Sequence, residues 1–159
     1  NHYLVRIGFI LLLLIMSKIK KIKKKKLSRS KCVKLLDWIF SCYIRLRDSN
    51  KYGIVTCPLC GNSLPRKQAQ NMHFIKRGCY LYRWDEQNCH AWDYRCNCIL
   101  NGNYIAYTRF MQNKYGVDRV DEMIENSKRI AKIQTSELLV LIDSYKLKVI
   151  ELEKQLISQ

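Results

Sequence analysis

The residues able to do chemistry lie between positions 57 and 101. Cys57 and Cys60 form a Cys-x-x-Cys pair followed by Gly61. Two thiolates at that spacing in a tight turn can reach one tetrahedral zinc ion, with turn amides donating to the sulfurs. A second pair should follow, but the stretch NCHAWDYRCNC offers only Cys89, Cys96 and Cys98, none of them three apart. Three positions before Cys96 stands Asp93. A carboxylate is an accepted zinc ligand, so Cys57, Cys60, Asp93 and Cys96 make a sound set with one ligand swapped. Cys98, Cys89 and His90 are the rival fourth ligands. A redox reading of Cys57-x-x-Cys60 lacks the βαβ context that such motifs use.

Between the two halves of this site stands His73. The ordinary imidazole pKa, about 6.5, suits a general base at neutral pH. Taken singly, His73 reads as a structural histidine, Asn88 and Asn97 as cap or turn residues, and Lys67, Lys76, Arg77 and Arg83 as solvated charges. Tyr80, Tyr82, Trp84 and Trp92 read as core packing first and base-stacking groups second.

The chain of 159 residues suffices for one compact domain with tails. With 29 Lys and Arg against 13 Asp and Glu, its net charge of +16 favours an anionic partner, nucleic acid or an acidic membrane surface. The apolar run Phe9 to Met16 is far short of the roughly 20 residues that span a bilayer. Nine Lys or Arg follow it between Lys18 and Lys31, the reverse of a signal peptide's order. Residues 1–15 read as sequence upstream of a start at Met16, or as an anchor ahead of basic residues. The expectation is a cytoplasmic protein with reduced cysteines, in which C-x-x-C points to metal.

These residues need elements to position them. Leu35, Leu36, Ile39, Phe40, Tyr43, Ile44 and Leu46 recur at helical spacing, predicting an amphipathic helix from Cys32 to about Asp48. YGIVTCPLCGNSLP reads as strand, tight turn and return strand, stopped by Pro65. Residues 66–88 read as an irregular hairpin or loop around His73. A helix is expected from about Cys89 to Gly102, then one over YIAYTRFMQNKY stopped by Gly116, and a third over VDRVDEMIENSKRIAK. The last helix starts at Thr135 or Ser136 as N-cap with Glu137 in its first turn. Its stripe of Leu138, Leu141, Ile142, Tyr145, Val149, Leu152 and Leu156 is either a dimer seam or packs within the chain.

The ordered motifs LLDWIFSCYIRLRD, CPLCG, HFIKRG, YRWDEQNCHAWDYRCN, NGNYIAY and YGVDRVDEM, spread over residues 33–125, resemble the phage NinG recombination protein family. Tyr43, Arg45, Leu46, Arg47 and Asp48 fall on that family's helix signature. His73 falls on its Gly-His-Phe histidine, Asn88 and His90 on its central motif, and Cys96-Asn97 on its Cys-Asn pair. Asp93 replaces a cysteine, Trp92 a glutamine, and Met72 the glycine before the histidine. The resemblance implies an α+β fold: a small treble-clef, zinc-stabilised ββα-metal core of the HNH kind over residues 32–130. An arm (1–31) and an amphipathic helix (131–159) flank it. It implies an endonuclease acting on branched recombination intermediates, with structural Zn2+ and a catalytic Mg2+ or Mn2+. In the HNH pattern His73 stands as base and Asn88 as the residue orienting it. Asn97, with Asn101 one helical turn on, would bind the catalytic ion, and Lys67, Lys76, Arg77 and Arg83 would contact DNA. A homodimer through the last helix is compatible. The alternatives are a non-catalytic zinc DNA-binding protein with a decayed site, which Met72 in place of a hard metal ligand would favour, and a membrane-tethered interaction protein.

Overall fold

The computed structural model describes residues 27–100 and 102–157; the expectations for the apolar N-terminus and most of the basic arm lie outside them. The elements are α1 (Arg29–Arg47), β1 (Ile54–Thr56), β2 (Ser63–Pro65), β3 (Gln70–His73), β4 (Cys89–Trp92), a π-helical turn (Arg95–Ile99), α2 (Tyr104–Tyr115), α3 (Val117–Asn126) and α4 (Thr135–Ile157). They fall into two compact units. One runs from Phe40 to Ile133; the other holds α1 up to Ile39 and the chain from Gln134. The fold is mixed α+β with two small antiparallel sheets. Among the described residues no helix is long and apolar enough to cross a membrane.

In α1 the buried side chains Cys32, Leu36, Ile39, Phe40, Tyr43 and Ile44 keep the predicted helical spacing. The helix opens three residues before Cys32, where the Ser28 carbonyl accepts from the Cys32 amide. Arg45 and Arg47 close it, favourably placed against the helix dipole. β1 and β2 pair with Val55 opposite Leu64 and Thr56 opposite Ser63, as the strand-turn-strand reading expected. In α4, Leu138, Ile142, Tyr145 and Val149 are buried within the single chain. A dimer through this helix would have to use its other face, where exposed Val140 and Leu147 stand among Asp143, Glu151 and Lys154. The N-cap of α4 is Gln134, one residue before the expected Thr135: the Gln134 carbonyl accepts from the Leu138 amide, and Glu137 reaches back to accept from the Gln134 amide at 2.6 Å. α3 stops at Asn126, shorter than expected.

The main correction falls at Cys89. The segment expected to enter a helix there is β4, paired with β3 so that Asn71 faces Ala91, Met72 faces His90 and His73 faces Cys89. All four residues of β4 are buried, and a short run buried on both faces carries no alternation to mark it as a strand. Helical geometry begins only at Arg95, as a π-helical turn closed by the Leu100 amide on the Arg95 carbonyl.

What makes a strand of CHAW is its second edge. The Cys89 carbonyl accepts from Arg47 Nη2 at 2.8 Å, and the Ala91 amide donates to Asp48 Oδ2 at 2.8 Å. Arg47 and Asp48 are ion-paired at 2.7 Å. Together they offer the strand one donor and one acceptor, standing in for a neighbouring strand on an edge that would otherwise be bare. Arg47 Nη1 also donates to the Glu86 carbonyl at 2.7 Å, and Tyr43 donates to the Glu86 carboxylate at 2.6 Å. The Tyr-x-Arg-x-Arg-Asp signature is therefore a clamp from α1 onto β4 and the loop before it. Arg47→Ala strips two carbonyls and a carboxylate of their partner. It is expected to cost about 3 kcal/mol of stability, read as a lowered urea midpoint with Tyr43, Asp48 and all eight cysteines intact.

Candidate functional site

The candidate metal centre is built from both sheets' neighbourhoods. In the turn between β1 and β2 the Cys57 amide donates to the Asn62 carbonyl, and the Gly61 amide to the Cys57 carbonyl, at 2.8 and 2.9 Å. Gly61 takes a φ of 72°, which a side chain would resist. That turn aims Cys57 and Cys60 at Cys96 on the π-helical turn. The three sulfurs lie within 4.8 Å of one another, with Cys57 and Cys96 buried and Cys60 exposed. Three converging thiols fit a soft, tetrahedral ion such as zinc; there it would act as a cross-link between the β1–β2 turn and the π-helical turn.

Asp93 is not in that trio. Its carboxylate accepts from Asn62 Nδ2 at 2.6 Å and from the Arg95 amide at 2.7 Å, and these bonds hold it below the usual carboxylate range. It ties the first turn to the second and accepts from the amide of the first residue of the π-helical turn. Asn62, which the sequence reading passed over, is its partner; only the short Asx-rich turn hinted at it. Of the rival ligands, Cys98 is exposed and outside the trio. Cys89 is buried beside the Arg83 carbonyl, and burial pushes its thiol up.

His90 is occupied on both nitrogens. Nδ1 lies 3.1 Å from the Tyr107 hydroxyl and Nε2 2.9 Å from the Tyr115 hydroxyl. Tyr107 also reaches the Met72 and Asn88 carbonyls at 3.3 Å. A carbonyl only accepts, so Tyr107 donates to the backbone and accepts from His90 Nδ1–H, while Tyr115 donates to Nε2. The ring is a neutral structural pin between β4 and α2. Burial first, then the Lys114 and Arg47 charges, hold its pKa at about 3.

His73 sits at the end of β3, half-buried, with Nε2 at 3.0 Å from the Arg83 carbonyl. By the same logic Nε2 carries the proton in the neutral ring and Nδ1 the lone pair. Asn88 is fully buried and holds the loop that supplies this carbonyl. Its Oδ1 accepts from the Ile75 amide at 2.6 Å, and its Nδ2 donates to the Ile75 and Tyr82 carbonyls at 3.0 and 2.9 Å. Tyr82 precedes Arg83, so Asn88 fixes the peptide that fixes His73. Arg83 donates to the Arg77 carbonyl and lies over the Tyr80 and Trp84 rings; its guanidinium is woven into the loop. Lys67, Lys76 and Arg77 are exposed. Tyr82, Trp84 and Trp92 are core residues.

For a hard cation the picture is thinner. Asn97 is half-buried on the π-helical turn, which closes at Ile99, and Asn101 lies outside the described residues. Met72 is buried in the core with Cys57, Trp92 and Cys96. A Cβ on Gly102 would meet Met72 Cε at 2.5 Å, so the end of the Met72 side chain would have to shift, and the φ of 76° itself favours glycine there. Apart from the three cysteines, no cluster of His, Cys, Asp or Glu suited to a metal occurs among the described residues.

Two measurements test this anatomy. Purified protein is expected to carry about one zinc per chain, lost in Cys57→Ala, Cys60→Ala and Cys96→Ala and kept in Cys98→Ala. Replacing zinc with Co2+ should give thiolate charge-transfer bands, and their ligand-field shape in Asp93→Ala reports whether the carboxylate completes the sphere. For His90, the unfolded ring takes a proton below about pH 6.5 that the folded ring refuses until about pH 3. Stability present at neutral pH is thus lost as pH falls through that window, by roughly 3 kcal/mol at pH 4. His90→Gln should flatten the acid limb of a stability-against-pH curve.

The family model described as bacteriophage lambda NinG protein matches residues 16–155. No curated protein and no solved structure matches the chain. Since that match covers the clamp, the three cysteines, the His73–Asn88 hairpin and α2 to α4, this chain belongs to the bacteriophage lambda NinG protein family.

Proposed function

We propose that the protein is a metal-dependent DNA endonuclease of the HNH kind, built round a treble-clef zinc site, that acts on branched intermediates of phage recombination in the bacterial cytoplasm. The observation that carries the reading is the His73–Arg83–Asn88 arrangement. The Arg83 carbonyl, 3.0 Å from Nε2, orients the imidazole, and a histidine held in this way is suited to take a proton from water attacking a phosphodiester. Buried Asn88 keeps that carbonyl in place, so Asn88 is a positioning residue. The order strand, long loop, strand, helical turn supports the same reading, as does the net charge of +16. Lys67, Lys76 and Arg77, exposed around the same loop, supply the backbone contacts.

A hard ion, Mg2+ or Mn2+, would neutralise the phosphoryl and leaving oxygens. Asn97 and Asn101 are its candidate amide donors, and alone they do not fit a cation that takes six oxygens, so water and substrate phosphate would have to complete the sphere.

Burial of Met72 favours a second reading, a zinc-containing DNA-binding protein without cleavage, because thioether and core packing stand where a hard ligand is commonly found. The discriminating experiment offers a four-way junction and a matched linear duplex with Mg2+ or Mn2+. Junction nicking that falls 10²–10⁴-fold in His73→Ala, with zinc content and junction affinity unchanged, supports the nuclease. Tight binding with no cleavage in either metal moves the assignment to the binding protein.

A further inference from the structure

Of the aromatic side chains suited to base stacking by sequence, Tyr82, Trp84 and Trp92 are buried and Tyr80 is half-buried, and a different set is exposed. Tyr104 is 53% exposed, and beside it Ile99, Leu100 and Ile105 are 64%, 45% and 71% exposed. These residues flank one tight turn, in which the Asn103 amide donates to the Leu100 carbonyl at 2.9 Å. Gly102 has φ 76° and Asn103, the α2 N-cap, φ 37°. Asn103 is the sole non-glycine residue with positive φ among the described residues, a backbone state that persists only where surroundings enforce it.

The turn is fastened to both neighbours of His73. Gly102 lies against Met72. The Tyr104 ring lies parallel to Phe74, 3° apart with centroids at 5.3 Å. Phe74 is itself buried and wedged edge-on by Tyr107. One face of Tyr104 is thus stacked on a fixed ring, and the exposure of the residue lies on the other. A ring held this way loses little freedom when a further flat group stacks on it. The surroundings suit a polyanion. From Tyr94 to Val117 the chain has Arg95, Arg109 and Lys114 and no Asp or Glu.

We propose that Tyr104 is a stacking platform for an unpaired base at the branch point of the DNA, with Ile99, Leu100 and Ile105 as the apolar rim that keeps the helix open there. This rests on the DNA reading above and gives it a route to structure preference: an unstacked base is available at a branch and absent from intact duplex.

The test uses a four-way junction with 2-aminopurine at the branch, without added Mg2+ or Mn2+, so that binding is read apart from cleavage. Variants are Tyr104→Phe, which keeps the ring, and Tyr104→Leu, which keeps an apolar cover on Phe74 and removes the stack. Zinc content and circular dichroism confirm folding. Wild type and Tyr104→Phe are expected to quench the fluorophore. Tyr104→Leu should lose the quenching and weaken junction binding about 5- to 100-fold, with linear duplex affinity unchanged. Junction binding and quenching in Tyr104→Leu equal to wild type would overturn the platform and leave the DNA reading standing. Failure of wild type to bind the junction would overturn both and point to a protein partner for this face.

Discussion

A two-stranded sheet four residues long does not hold together in water by itself, and everything of chemical interest in this chain hangs on one. β3 carries His73, and β4 leads into the turn that carries Cys96 and Asn97. The hairpin survives because each side is supplied with what it lacks. Arg47 and Asp48 complete the outer edge of β4. His90, pinned by Tyr107 and Tyr115, fastens one face to α2. Asn88 organises the long loop between the strands. Each device is polar and buried or half-buried, so each is worth more when complete than its parts suggest.

The three thiols do the same for the far end of the hairpin. Cys57 and Cys60 belong to one sheet's turn and Cys96 to the exit from the other. A metal bridging them would cross-link two short turns in a domain whose small size limits what its apolar core can supply. Asn62 and Asp93 make a parallel, metal-independent tie beside it. The positions of structural ligands and of His73 are thereby linked through a single short strand.

How much of this was legible in the sequence depended on whether a signal was local. The Cys-x-x-Cys turn, the β1–β2 hairpin, the α1 and α4 stripes and the Gly116 stop are local patterns, and the structure has them. β4 was misread as helix because its strand character comes from Arg47 and Asp48, more than 40 residues away. Spacing from Cys96 marks Asp93 as a ligand candidate, but it carries no sign of the bonds its carboxylate makes to Asn62 and to the Arg95 amide. The pairing of His73 with the Arg83 carbonyl, and of Asn88 with the Ile75 backbone and the Tyr82 carbonyl, lies in a loop with no periodicity to read. The exposed face of Tyr104 was hidden because an aromatic at a helix start says nothing of which side is covered.

The clamp also bears on how the chain reaches this state. Arg47 meets the Cys89 carbonyl across 42 positions, and Asp48 meets the Ala91 amide across 43. Those bonds enclose the Cys-x-x-Cys turn and the whole His73 loop in one large ring of chain. Closing such a ring costs entropy that later contacts must offset. The β1–β2 turn, only a few residues across, can form early, while β4 gains its partners late and nearly together. Until then Cys89, Ala91 and Trp92 stand on an unprotected edge, the kind on which newly made chains aggregate, and any cell making this protein in quantity would meet that edge before it met a folded site.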